Sequence, residues 1–115
     1  MTIKRQEFGI RANKVVVHND TAYLAGMIAE EPFLSVAEQM RRVLEQMEKR
    51  LLSVGSSKNK ILMINIYLSD MRRFQEMNEV WDAWLDKDNA PARACVQASM
   101  ARPGYEIEIT AVAAV

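Results

Sequence analysis

The octet Ile61-Leu62-Met63-Ile64-Asn65-Ile66-Tyr67-Leu68 decides the fold. It contains no glycine, proline or charge and is rich in branched and aromatic side chains, which predicts a strand. Its even positions, Leu62, Ile64, Ile66 and Leu68, are uniformly apolar. Its odd positions, Ile61, Met63, Asn65 and Tyr67, include two polar-capable side chains. Successive strand residues point to opposite faces, so the even face is expected beneath helices and the odd face is mixed.

Helical periodicity flanks this strand on both sides. Upstream, Val36, Met40, Val43, Leu44, Met47 and Leu51 recur at helical spacing, with charged residues on the other side. Ser35 and Glu38 have the spacing of a capping box, and Gly55 marks the stop. Downstream, Asp70 is placed to cap a second helix whose stripe is Phe74, Met77, Trp81, Trp84 and Leu85. Further out, residues 14–18 and 21–28 read as a hairpin turning at Asn19-Asp20, and Pro32 ends that strand region. Residues 93–101 and 105–114 read as two closing strands after a loop at 87–91. The resulting order is β-β-α-β-α-β-β: an α+β sandwich over residues 1–115, with both helices on one face of a mixed sheet.

Composition excludes several classes of function. The chain has 115 residues, half of them hydrophobic and 26% charged, which suits one globular domain. Lysine and arginine total 15 and the acids total 15, a balance that argues against gripping nucleic acid or an anionic membrane. One cysteine allows no internal disulfide and suits a reducing compartment. No apolar run approaches the roughly 20 residues of a membrane span, so a soluble, cytoplasmic protein is expected. There is one histidine, and no histidine–cysteine cluster that would hold a metal.

The last two strands carry the chemistry. If they are neighbours, Arg93, Cys95 and Glu108 share one side of the sheet, and Ala94, Val96, Ile107 and Ile109 share the helix side. Two readings of that polar side stay open. It is the solvated face of an open antiparallel sheet, with Arg93 and Glu108 forming an ordinary ion pair. Alternatively, because Cys95, Val112, Ile61 and Met63 also lie there, another subunit buries it and a few charges serve a ligand. Cys95 lacks an adjacent base, which favours a pocket-lining residue over a nucleophile. Trp81 and Trp84 fit core packing.

At these residues the chain resembles the Rid (reactive intermediate deaminase, YjgF) family. The carriers are Pro91-Ala92-Arg93-Ala94-Cys95-Val96, then Glu106-Ile107-Glu108-Ile109 and Ala111. Tyr23-Leu24-Ala25-Gly26, and Asp70 to Phe74 with Asn78, are compatible with it. The resemblance implies a chorismate-mutase-like fold and a homotrimer with ligand sites in clefts between subunits. It implies hydrolysis of 2-imino acids, or of their enamine tautomers, to 2-oxo acids and ammonia without a cofactor. In that reading Arg93 anchors the carboxylate of a small 2-imino or 2-oxo acid and Glu108 orients water or moves its proton. Cys95, Gly26, Met27 and Asn78 would complete the binding site, with no metal, nucleic acid or membrane involved. Two departures stand out. Residues 9–13 lack the tyrosine that closes the pocket in many members, and Ala25-Gly26-Met27 replaces a common Ser-Gly-Gln. The alternative is a non-catalytic trimer that binds small carboxylates in a regulatory or pathway-specific role.

Overall fold

The structure, a computed structural model, describes residues 2–115. Six strands form one sheet in the order β1-β2-β3-β6-β4-β5. The strands are β1 (Ile3–Phe8), β2 (Asn13–His18), β3 (Thr21–Met27), β4 (Ile61–Leu68), β5 (Ala92–Gln97) and β6 (Ile107–Ala114). Two helices, α1 (Val36–Ser53) and α2 (Phe74–Trp84), cover one face. All neighbours are antiparallel except β4 and β5, whose crossover runs through α2. The α+β sandwich with both helices on one face of a mixed sheet is therefore observed, with one strand more than expected at the N-terminus.

That extra strand, β1, pairs with β2 at the sheet edge, where Lys4 lies opposite Val17 and Gln6 opposite Val15. Its sequence, IKRQEF, has no buried residue and so offers no hydrophobic alternation to read. The hairpin between β2 and β3 turns at Asn19, which adopts φ +55°, a region asparagine tolerates.

The helix signals are met with two changes. Ser35 Oγ accepts from the Glu38 amide at 3.1 Å, but the Glu38 carboxylate does not return to Ser35. It pairs instead with Arg41 and Arg42, so only half of the capping box forms. A carboxylate from the other helix supplies a further cap: Glu76 Oε2 accepts from the Ala37 amide at 2.9 Å. Asp70 caps a 3₁₀ turn (Met71–Arg73), and α2 begins only at Phe74. Gly55, at φ +80°, ends α1 as expected.

The core joins the α1 stripe, Met77, Val80 and Trp81 of α2, and the inward faces of β2, β3, β4 and β6. In β4, Ile64, Ile66 and Leu68 point inward as expected, but Leu62 does not. The register against β6 slips by one residue between Ile61 and Met63, so Ile61 enters the core and Leu62 is expelled. The β5 strand stops at Gln97 rather than 101, and β6 starts at Ile107 rather than 105.

Gln39 is fully buried on α1, and its amide ties the loop before β6 to the helix. It donates to the carbonyls of Leu34 (3.0 Å) and Gly104 (2.9 Å) and accepts from the Glu106 amide (2.9 Å). Gln39→Leu keeps the volume but strands one buried donor and two acceptors. We expect a loss of about 2–4 kcal/mol, seen as a fall of roughly 10 °C in Tm by calorimetry. A Tm within 2 °C of wild type would show that water satisfies these groups.

Candidate carboxylate-binding site

Arg93 sits on β5, the edge strand beyond β4. Because β5 pairs in parallel with β4, Arg93 lies opposite Ile64 and Cys95 opposite Ile66, both on the helix side of the sheet. Glu108 lies opposite Tyr67, on the other side. The expectation that Arg93, Cys95 and Glu108 share a face is thus corrected, as is the helix-side placement of Ala94 and Val96. The reason is topological: β4 separates β5 from β6, and a strand's two-residue period fixes alternation but not which set points inward. The same geometry removes the ordinary Arg93–Glu108 ion pair.

What surrounds Arg93 is a holder. Its Nη1 donates to Asn78 Oδ1 at 2.8 Å. Its guanidinium carbon lies 5.2 Å from the Trp81 ring centroid and 6.0 Å from that of Phe74. Phe74, Asn78 and Trp81 are four and three residues apart on α2, so one helix face presents all three. The rings and one amide hold the guanidinium, yet among the described residues no carboxylate lies within 4.0 Å of it. A half-buried, oriented cation without an acid partner has unused N–H donors for an incoming anion. Phe74 and Trp81, which the helical stripe marks only as core, also support Arg93. The available signal was Asn78, a polar residue interrupting an apolar helical stripe.

Cys95 packs partly against the core two residues from Arg93. Burial pushes its thiol pKa up, and the Arg93 charge offsets this only in part. The folded thiol therefore stays protonated at neutral pH, which removes the nucleophile reading. We expect iodoacetamide at pH 7.5 to alkylate Cys95 more slowly in the folded protein than in urea. The folded rate should rise only at a pH above that at which the unfolded thiol ionises. Equal rates in both states would contradict the burial effect.

Glu108 and Gly26 meet on the other face. A Cβ built on Gly26 would overlap Glu108 Oε2 and approach its Cδ to 3.0 Å. The carboxylate therefore rests directly on the Gly26 backbone, a close approach that only glycine permits. A bulge between Leu24 and Met27 in β3 brings Gly26 there. Met27 is corrected: it pairs with Ile109 and is buried in the core, so its side chain does not line this site. The structure thus forms two half-sites, Arg93 with Asn78 and Cys95 on one side of the sheet, and Glu108 with Gly26 on the other.

The face carrying Glu108 has no covering layer among the described residues. Tyr23 is 48% exposed, Val96 51% and Leu62 52%, with Met63, Tyr67 and Val112 partly exposed among them. Two larger grooves, of about 600 and 660 Å³, run along the helix layer and include none of the predicted site residues. No group of three or more metal-ligating side chains occurs among the described residues, and no helix is long and apolar enough to cross a membrane.

Fold and site together define a class: a small two-layer α+β protein with an acid-free arginine on an edge strand and an uncovered sheet face. The family described as endoribonuclease L-PSP matches residues 10–115, and the chain belongs to this YjgF/RutC family. It is 41% identical over 115 residues, the full length of both chains, to the RutC family protein YoaB of Escherichia coli K12. It is 39% identical over 114 residues to a RutC family protein of Haemophilus influenzae, covering 98% of each. Among solved structures, a YjgF family member from Neisseria meningitidis superposes with a TM-score of 0.95 at 40% identity, covering 99% of this chain and 95% of that one.

Proposed function

We propose that this protein hydrolyses small 2-imino acids to 2-oxo acids and ammonia, at sites formed between copies of the chain in a homotrimer. One observation carries the reading: Arg93 is held by Asn78, Trp81 and Phe74 with no carboxylate partner among the described residues. A guanidinium kept this way matches the one group that every such substrate has, its carboxylate. Glu108 supplies the other requirement, an acceptor that orients water toward the C=N carbon and takes its proton. Attack gives a tetrahedral carbinolamine, and returning the proton to nitrogen releases ammonia. Because the uncatalysed reaction is already quick, positioning and proton transfer suffice.

Arg93 and Glu108 lie on opposite sides of one sheet, so a single copy does not bring both to one small ligand. A ligand touching both sits where the β5 edge of one copy meets the uncovered face of another. The exposed Tyr23, Val96 and Leu62 on and around that face support its burial by a second copy. The RNA chemistry in the family's description finds no support here, since basic and acidic residues balance at 15 each. A non-catalytic carboxylate-binding role would use the same arginine. The absence of tyrosine from residues 9–13 favours it.

A coupled assay decides between the two. An amino acid oxidase generates 2-iminopropanoate and semicarbazide traps it. The hydrolase reading expects added protein to slow semicarbazone formation in proportion to its concentration. Trapping that is unaffected at any protein concentration, while pyruvate still binds, leaves the non-catalytic role.

A further inference from the structure

The half-site at Glu108 shares Gly26 with a second pocket of opposite charge. An open cavity of about 330 Å³ at this end of the sheet is lined in part by Lys14, Gly26, Glu30, Arg50, Arg102 and Tyr105. Gly26 is common to both, being the residue on which the Glu108 carboxylate rests. Three cations face one acid in this lining, and counting Glu7, which reaches Arg50 from β1, they still outnumber the acids.

Arg50 is the informative member. Its side chain is only 8% exposed, and a guanidinium withdrawn from water is costly unless its charge and donors are matched. The matching here is loose. Nε lies 3.6 Å from Glu7 Oε2, and Nη2 donates to Gln46 Oε1 at 3.4 Å. Nη1 has no hydrogen-bond partner among the described residues and keeps contact with solvent. Arg102 lies with its guanidinium carbon 5.0 Å from the centroid of the Tyr105 ring. That ring supports the cation, and its N–H donors have no hydrogen-bond partner among the described residues. Neither Arg102 nor Lys14 has a carboxylate within 4.0 Å among the described residues.

We propose that this cavity receives a second anionic group, so that the preferred ligand is a dianionic 2-imino or 2-oxo acid with a carboxylate at its far end. The inference rests on the reading of the Arg93–Glu108 site as one for small 2-imino or 2-oxo acids. Arg93 takes the first carboxylate, Glu108 lies beside the reacting carbon, and the chain of the ligand runs past the Glu108 carboxylate toward Arg50, Arg102 and Lys14. A monoanion with a methyl side chain leaves the cavity to water. A distal carboxylate replaces that water with charge-assisted hydrogen bonds.

The test compares 2-oxoglutarate with 2-oxobutanoate by titration calorimetry on the intact protein. Wild type is expected to bind the dianion at least about tenfold more tightly. Arg102→Gln and Lys14→Gln are each expected to reduce that preference about threefold, since both cations are exposed. The double variant should come close to removing it, with the circular dichroism spectrum unchanged. Equal affinity of wild type for the two oxo acids overturns the proposal, as does a preference that the double variant leaves intact. In the trapping assay, the ratio of kcat/KM for 2-iminoglutarate over 2-iminopropanoate should follow the same order. If no imine is hydrolysed but the Arg102-dependent preference persists, the hydrolase reading falls and this subsite stands. If imines are hydrolysed with no preference for the dianion, the subsite alone falls.

Discussion

Arg93→Ala is expected to lower kcat/KM for 2-iminopropanoate by about 100-fold or more, while the protein stays folded and keeps its oligomeric state. The activity loss follows from removing a bidentate, charge-assisted anchor, an effect on the order of 3 kcal/mol in a partly desolvated site. The stability cost is small because Arg93 lies on an edge strand and its neutral partner Asn78 can turn to water. Arg93→Lys separates charge from shape. Lysine keeps the positive charge but not the planar fork or the fit over Trp81 and Phe74, so roughly a tenfold loss is expected. The trapping assay measures both, and sedimentation checks assembly. Full activity in Arg93→Ala would reject Arg93 as the anchor and with it the proposed function.

Gly26→Ala is expected to lower kcat about 100-fold with little change in Tm. The added methyl collides with the end of a flexible side chain, so the Glu108 carboxylate swings away and the backbone stays in place. Losing a positioned general acid–base group costs typically two to four powers of ten. The fold should lose less than about 1 kcal/mol, because no core residue moves and Gly26 has no positive φ. Glu108→Gln should produce a loss of the same size. If both changes act on one carboxylate, the double variant Gly26→Ala/Glu108→Gln is no slower than Glu108→Gln alone. Multiplying effects would mean that Gly26 contributes by some route other than seating Glu108.

These two variants also divide what local pattern makes legible from what it leaves hidden. The core stripes of α1 and α2 and the inward face of β4 could be read directly, because burial forces a 3.6-residue or two-residue period onto the chain. Arg93 and Glu108 could be picked out as chemistry because charged residues interrupt strands that are otherwise apolar. Met27 could not be excluded from the site, since the bulge at Gly26 that turns it into the core leaves no mark on local hydrophobicity. The same holds for Leu62, expelled by the slip beside Ile61. Strand β1 was invisible for a related reason. An edge strand with no buried face has no periodicity to impose.

The amino-acid order determined every helix and strand except β1, their sequence along the chain, the helix-covered layer and the candidate anchor. Only the tertiary structure decided which faces those residues occupy. By pairing in parallel with β4, β5 turns Arg93 toward α2 and the Trp81 ring, while Glu108 looks out from the uncovered side onto Gly26. Alternation along a strand is a local property of the backbone. The choice between its two phases belongs to the neighbouring strand, and here that neighbour lies about thirty residues away in the chain and was settled by the crossover through α2.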